Sequence, residues 1–97
     1  MYKWNEDKNS ILKSTRGISF NDVIEILSNN GIIDNYKHPQ SDKYPNQFIY
    51  VISINDYIHY VPYVIDTDYI FLKNIIPSRK LNKIYKKDWL CYMIKMN

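Results

Sequence analysis

The first third of the chain has its apolar residues at the spacing of two short helices. The run from 5 to 15 has helical periodicity, and Asn5 is suited to cap its start. This helix ends before Gly17, because glycine accepts the left-handed geometry of a helix C-terminus. Ser19 and Asp22 match the capping box that begins a second helix. The pattern therefore predicts two helices joined by a tight glycine turn.

After Gly31 the apolar positions recur with a period of two, which is typical of strands. Asn55-Asp56 lies between two alternating runs and predicts a tight hairpin turn. Pro62 lies inside the second of these runs and predicts a bulge or a sheet edge there, because proline has no N–H to donate. The predicted strands are 32–36, 47–54, 57–65 and 69–76, and a final helix runs from 78 to about 96.

These elements predict an α+β domain. Two N-terminal helices precede an antiparallel sheet of three or four strands, for which Tyr2-Lys3-Trp4 is a candidate additional short strand, and a C-terminal helix follows. One sheet with its helices packed on one face is the most economical arrangement. The 97 residues accommodate a single domain, 1–97, with a small core and no second domain.

Composition places the chain among folded cytoplasmic proteins, since 45% of its residues are apolar and only 24% are charged. The single cysteine, Cys91, excludes an internal disulfide and fits a reducing cytosol. No apolar run reaches the roughly 18 residues of a membrane span, and the N-terminus is too polar for a secretion signal. A Gly-rich phosphate loop and a Cys/His cluster are both missing from the sequence, so neither a cofactor nor a metal is expected.

Positive charge is concentrated late in the chain, although the net charge of +3 is mild. An apolar strand ends at Pro77-Ser78 and leads straight into Arg79-Lys80, which holds two cations at the start of a helix. Phosphate is the obvious partner for such a pair. The cluster is either a phosphate-attracting face or the solvated side of a helix. Its members are Lys73, Arg79, Lys80, Lys83, Lys86 and Lys87.

Four side chains form a candidate catalytic set. Alternation places His59 and Tyr63 on one side of their strand, and Lys73 on one side of the next. If those sides coincide, all three lie on one surface near Arg79. Histidine and tyrosine can move protons, and lysine and arginine can stabilise a pentacoordinate phosphorane. The set would suffice for metal-free RNA cleavage, in which the 2′-hydroxyl attacks the adjacent phosphorus.

Each of these side chains also has a structural explanation. His59 lies between Ile58 and Tyr60, where a half-buried packing role is common. Tyr63 belongs to a chain with 10 tyrosines and fits a core or rim position. Lys73 would keep a sheet edge soluble. Arg79 is the least easily explained by packing alone.

Two motifs, far apart in the chain, resemble those of the BrnT family of bacterial type II toxins, which are ribonucleases of the RelE-like fold. The resemblance covers about residues 2–87. It implies a toxin that cuts RNA without a metal and is neutralised by a cognate antitoxin. The matching motifs are Trp4-x-x-x-Lys8-x-x-x-Leu12 followed by Gly17-Ile18-Ser19-Phe20, and Ile75-Ile76-Pro77-Ser78-Arg79-Lys80.

The resemblance also assigns residues. It places Arg79 and Lys80 at the family's basic pair and Tyr63 near a family histidine or tyrosine. The chain departs from the family at Thr15-Arg16, where Lys-His is frequent, and at Asn74, where arginine is frequent. Arg16 keeps a positive charge but cannot replace an imidazole base at neutral pH.

Three functions remain open on the sequence. The favoured one is an endoribonuclease toxin in which Lys73, Lys80, Lys83 and Arg16 bind RNA, free or ribosome-bound, and His59 or Tyr63 serves as general acid or base. The second is a non-catalytic module that binds RNA or protein through the same basic face. The third acts through the tail 88–97, which lies beyond the resemblance; its aromatic and methionine residues fit either a core or a contact with a partner, including a second copy.

Overall fold

The computed structural model describes residues 1–85, and within them six strands form one sheet accompanied by three helices. The sheet order is β1-β5-β4-β3-β2, with β6 also pairing β4. The fold is therefore α+β, as predicted. In chain order the elements are β1 (Tyr2–Lys3), α1 (Glu6–Arg16), α2 (Phe20–Ser28), β2 (Asp34–Lys37), β3 (Gln47–Ile54), β4 (Tyr57–Ile65), β5 (Ile70–Leu72), β6 (Ile76–Pro77) and α3, described over 79–85.

The predicted helix boundaries are confirmed by their caps. The Asn5 side chain accepts a hydrogen bond from the Lys8 backbone N–H, and Gly17 ends α1 with a φ of 68° in the left-handed region. Ser19 and Asp22 form both hydrogen bonds of a capping box at the start of α2. Side-chain oxygens thus satisfy backbone N–H groups that a helix start leaves without partners.

The Asn9 side chain connects the two N-terminal helices by hydrogen bonds. It is buried in α1, and its Oδ1 accepts a hydrogen bond of 2.7 Å from the Phe20 backbone N–H. Its Nδ2 donates to Asn21 Oδ1 at 3.2 Å. A buried amide with both ends satisfied fixes the approach of one helix to the next. No spacing in the sequence indicates this contact.

The central hairpin has the predicted limits. β3 and β4 are antiparallel, and Ile54 and Tyr57 are the paired residues next to the turn. The turn residues Asn55 and Asp56 have φ values of 52° and 62°. Two consecutive positive φ angles define the type I′ turn, whose twist matches that of the flanking strands. β1 pairs β5 in parallel, so the candidate N-terminal strand is confirmed and makes the sheet mixed.

The predicted strand 69–76 is interrupted by a bulge. Tyr63 pairs with Leu72, and Tyr60 pairs with Ile76. The segment from Leu72 to Ile76 is therefore one residue longer than the segment of β4 that it pairs with. The extra residue lies opposite Pro62, whose carbonyl accepts from the Lys73 backbone N–H at 2.8 Å. Because Pro62 cannot donate to this neighbour, the ladder breaks here. The bulge that Pro62 predicted exists, but in the partner strand.

The expectation that all helices pack on one face of the sheet is wrong. α1 and α2 cover one face, where Phe20 and Val23 are fully buried in the main core. Leu81 and Tyr85 of α3 pack against the opposite face. Hydrogen bonds to the Ile58 backbone explain why α3 lies on the opposite face of the sheet. The Ile58 carbonyl accepts from the Ser78 backbone N–H, and the Ile58 N–H donates to Asn82 Oδ1, which directs α3 across the sheet.

The remaining expectations concern residues at the end of the chain. The predicted continuation of the last helix to about 96 and the tail 88–97 lie outside the described residues. Among residues 1–85, the helices are too short or too polar to cross a membrane.

Candidate functional site

His59 lies in the middle of the sheet, on the face that α1 and α2 cover. It pairs with Ile52 on one side and with Pro77 of β6 on the other. The side chain is only 7% exposed. Its Nδ1 lies 2.8 Å from the Tyr57 carbonyl oxygen. A carbonyl only accepts, so Nδ1 carries the proton and Nε2 keeps its lone pair.

Arg16 brings a positive charge to this histidine. Its Nη1 donates to the Ile75 carbonyl at 3.2 Å, which ties the end of α1 to the bulge beside β6. Burial lowers the pKa of His59, and the Arg16 guanidinium lowers it further, against the opposing effect of the hydrogen bond to the Tyr57 carbonyl. His59 is therefore neutral at pH 7, with Nε2 able to accept a proton.

A pH-dependent stability follows from this lowered pKa. The unfolded chain binds a proton at His59 near pH 6.5, whereas the folded chain does so only at lower pH. The contribution to stability is therefore complete above pH 6.5 and is lost as the pH falls through the folded-state pKa. Urea unfolding at pH 7.5 and at about pH 5 should show a smaller decline for His59→Gln than for the wild type. His38→Gln is the matched control. Equal declines in the wild type and His59→Gln would contradict the assignment.

Arg79 follows closely on the strand that pairs with His59. It comes two residues after Pro77, and two residues of chain span at most about 7 Å. Arg79 and Lys80 are exposed in the first turn of α3, and Lys83 is exposed one turn later. Cations in a first turn oppose the helix dipole, so stability alone does not favour them there. The structure thus places Arg16 beside His59, and Arg79 within two residues of the end of β6; we call these three residues the β6 site.

Tyr63 is held in the core, away from His59. It is 3% exposed, and its hydroxyl donates to Asn35 Oδ1 at 2.6 Å. Its ring stacks on Tyr50 at 4.0 Å, and burial raises its pKa. Four residues of strand, about 13 Å, separate it from His59. The packing explanation of Tyr63 accounts for all of these contacts.

Lys73 does not share the surface of His59 and Tyr63, contrary to the assumed register. Leu72 is the residue that pairs with Tyr63 and therefore shares its face. Lys73 is exposed at the bulge, and its backbone N–H donates to Pro62. Of the four candidates, His59 pairs with β6 and Arg79 follows β6 by two residues at the start of α3, which packs on the other face of the sheet. The cation whose charge acts on His59 is Arg16.

A groove of about 510 Å³ runs beside the β6 site along α1. Arg16 lies at its end, and Asn74 of the bulge forms the opposite wall. Lys8 and Ile11 line it from one side of the helix. The sequence singled out Asn74 only as a position in a family pattern, and Lys8 both for that pattern and for its helical spacing. Lys8 and Arg16 are eight residues apart along α1, a spacing that could have indicated that both line the same groove. The bulge that brings Asn74 to the groove could not be predicted.

Comparisons with known proteins add nothing to this geometry, since no family model, no curated protein and no solved structure matches the chain. Within residues 1–85 there is also no group of three or more His, Cys, Asp or Glu side chains arranged to hold a metal ion. Any assignment of function therefore depends on the β6 site and the surface around it.

Proposed function

We propose that this protein is a cytoplasmic bacterial type II toxin of the RelE-like fold, a ribonuclease that cleaves RNA without a metal and is neutralised by a cognate antitoxin. The observation that carries the proposal is the β6 site. It combines a neutral histidine of defined tautomer with the Arg16 guanidinium beside it, and Arg79 follows two residues after β6. Phosphodiester cleavage by the neighbouring 2′-hydroxyl needs these two kinds of group, a proton acceptor and positive charge near the phosphorus.

In the proposed reaction, His59 Nε2 takes the proton of the 2′-hydroxyl. The 2′-oxygen bonds to phosphorus, the bond to the 5′-oxygen breaks, and that oxygen leaves with a proton from water. The His59 imidazolium then gives its proton to the hydroxide that remains, so the imidazole returns to its neutral form. The products are a 2′,3′-cyclic phosphate and a free 5′-hydroxyl. Arg16 and Arg79 stabilise the negative charge that grows on the non-bridging oxygens. Lys80 and Lys83, exposed on α3, bind the RNA backbone.

The departure from the family pattern at Arg16 fits this division of labour. An arginine cannot act as a base at neutral pH. In this chain the imidazole comes from the sheet instead, and Arg16 supplies charge beside it. Tyr63 has no part in the reaction, because its ring is buried in the core and its hydroxyl donates to Asn35.

A non-catalytic RNA-binding module is the second candidate, and one observation favours it. His59 is 7% exposed, so a 2′-hydroxyl must reach a nearly buried nitrogen. Such a module would bind RNA through Arg79, Lys80 and Lys83 with strong salt dependence and leave it intact.

Induced expression in a bacterial host tests the proposal. We expect the wild type to arrest growth and to generate new 5′ ends in cellular RNA. Arg79→Ala should abolish both effects, because it removes charge from the phosphate without touching the core. Lys13→Ala, which also removes one exposed cation, is the matched control and should behave as the wild type.

Two outcomes would contradict the proposal. Arg79→Ala as toxic as the wild type would remove Arg79 from the site. Healthy growth and unchanged RNA with soluble wild-type protein would favour the binding module.

A further inference from the structure

The groove along α1 is built from groups that suit a nucleotide. Two cations line it, Lys8 and Arg16, about 12 Å apart along the helix axis. Between them Ile11 is 59% exposed, an apolar surface at the position where a flat ring could rest. Cations flanking an exposed apolar side chain complement phosphate and base together.

Amide groups in the groove retain capacity for hydrogen bonds. Asn74 Oδ1 accepts from the Ile75 backbone N–H at 2.8 Å, and Asn5 Oδ1 accepts from the Lys8 backbone N–H at 3.1 Å. Within residues 1–85 these are the hydrogen bonds that involve the two side chains, so both NH₂ groups remain donors for a ligand. The Asp7 carboxylate adds an acceptor.

Arg16 connects the groove to the β6 site. It lines the groove, and its Nη1 holds the Ile75 carbonyl next to the strand that pairs with His59. A phosphate bound at this guanidinium would lie between the two regions. A nucleotide bound in the groove would therefore have its next phosphate at Arg16, beside His59.

We infer that the groove binds one nucleotide of single-stranded RNA, adjacent to the phosphate that is cleaved. This inference rests on the proposed function and extends it, because it gives the strand a path along α1 and Asn74. Ile11 contacts the base, Lys8 binds the outer phosphate, and Arg16 binds the phosphate at the cut.

Binding to an oligonucleotide that cannot be cleaved tests the groove separately from catalysis. The probe is a fluorescein-labelled, single-stranded 2′-deoxy oligonucleotide of mixed sequence, and the readout is fluorescence anisotropy at several salt concentrations. Ile11→Glu should weaken binding about tenfold, since the apolar contact with the base is lost and a negative charge is added. Lys8→Ala should reduce the salt slope by about 0.7, the loss of one phosphate contact to a single strand. Lys13→Ala, on the same helix but outside the groove, should keep the wild-type affinity within about twofold.

The outcomes separate the two proposals. Ile11→Glu and Lys8→Ala proteins that bind like the wild type would overturn the groove, even if the wild type cleaves RNA through His59. Groove-dependent binding without cleavage would support the groove and leave the protein a binding module. A wild type that binds no oligonucleotide would overturn the groove, whereas the cleavage proposal would be decided by the expression experiment. Thermal melting by circular dichroism checks each fold, and Asn74→Ala provides a third variant on the other wall.

Discussion

Replacing His59 with glutamine is expected to lower the rate of RNA cleavage by about 10²- to 10⁴-fold, the usual contribution of a general base. Glutamine keeps a polar side chain of similar length but cannot accept a proton at Nε2. We expect a large effect because the tautomer is fixed. Nδ1 donates its proton to the Tyr57 carbonyl oxygen at 2.8 Å, which leaves Nε2 as the proton acceptor. Single-turnover cleavage of an end-labelled RNA measures the rate.

The other histidine supplies the control for this experiment. His38 stacks on Tyr44 at a centroid distance of 4.8 Å, in the loop between β2 and β3. His38→Gln should cleave RNA at the wild-type rate. A His59→Gln protein within threefold of the wild type would contradict the assigned base and would identify His59 as a packing residue.

Replacing Phe20 with alanine should lower the free energy of unfolding by about 3–5 kcal/mol, the largest stability loss we expect from one substitution. Phe20 is fully buried, and its ring stacks on Trp4 at 5.9 Å. Its backbone N–H is the donor to the buried Asn9. The substitution therefore leaves a cavity where α1, α2 and the sheet meet. Because small domains are stable by about 5–15 kcal/mol, the substitution should remove a large share of the protein's stability and lower the urea concentration at the unfolding midpoint.

Urea unfolding of three variants makes this prediction specific. Phe71→Ala is the matched control, since Phe71 is only partly buried and lies outside the main core. It should cost less than half as much as Phe20→Ala. Phe20→Leu, which refills most of the volume, should recover part of the loss. Equal losses for Phe20→Ala and Phe71→Ala would contradict the assigned position of the core.

The elements that depend on neighbouring residues could be predicted from the sequence. Ser19 and Asp22 form the capping box, Gly17 ends α1, and Asn55-Asp56 turns the hairpin, because each structure involves residues within four positions of one another. Such signals need no knowledge of the rest of the fold.

Pairings between distant segments could not be predicted in the same way. The single extra residue near Asn74 changes which side chains share a face, because strand side chains alternate. Lys73 does not share the surface of His59, because Leu72 is the residue that pairs with Tyr63, whereas the assumed register placed Lys73 there. The face of α3 was likewise undetermined, since it depends on hydrogen bonds between Ile58 and the segment from Ser78 to Asn82.

In the candidate site, too, the residue types could be identified from the sequence, but their positions relative to one another could not. The sequence identified His59 and Arg79 by their residue types, and it left Tyr63 open between a proton carrier and a core or rim residue. Only the register with β2 reveals that Asn35 engages the Tyr63 hydroxyl. Arg16 was named for its charge, whereas its position beside His59 required the contact with Ile75.

The most direct test of the central claim is to incubate the purified full-length protein with end-labelled single-stranded RNA in the presence of EDTA and to analyse the new 3′ ends. We predict cleavage that leaves 2′,3′-cyclic phosphates and that disappears when the residue at the cut carries 2′-deoxyribose. Intact RNA at all protein concentrations, cleavage that EDTA abolishes, or cleavage of the 2′-deoxy substrate would contradict the account.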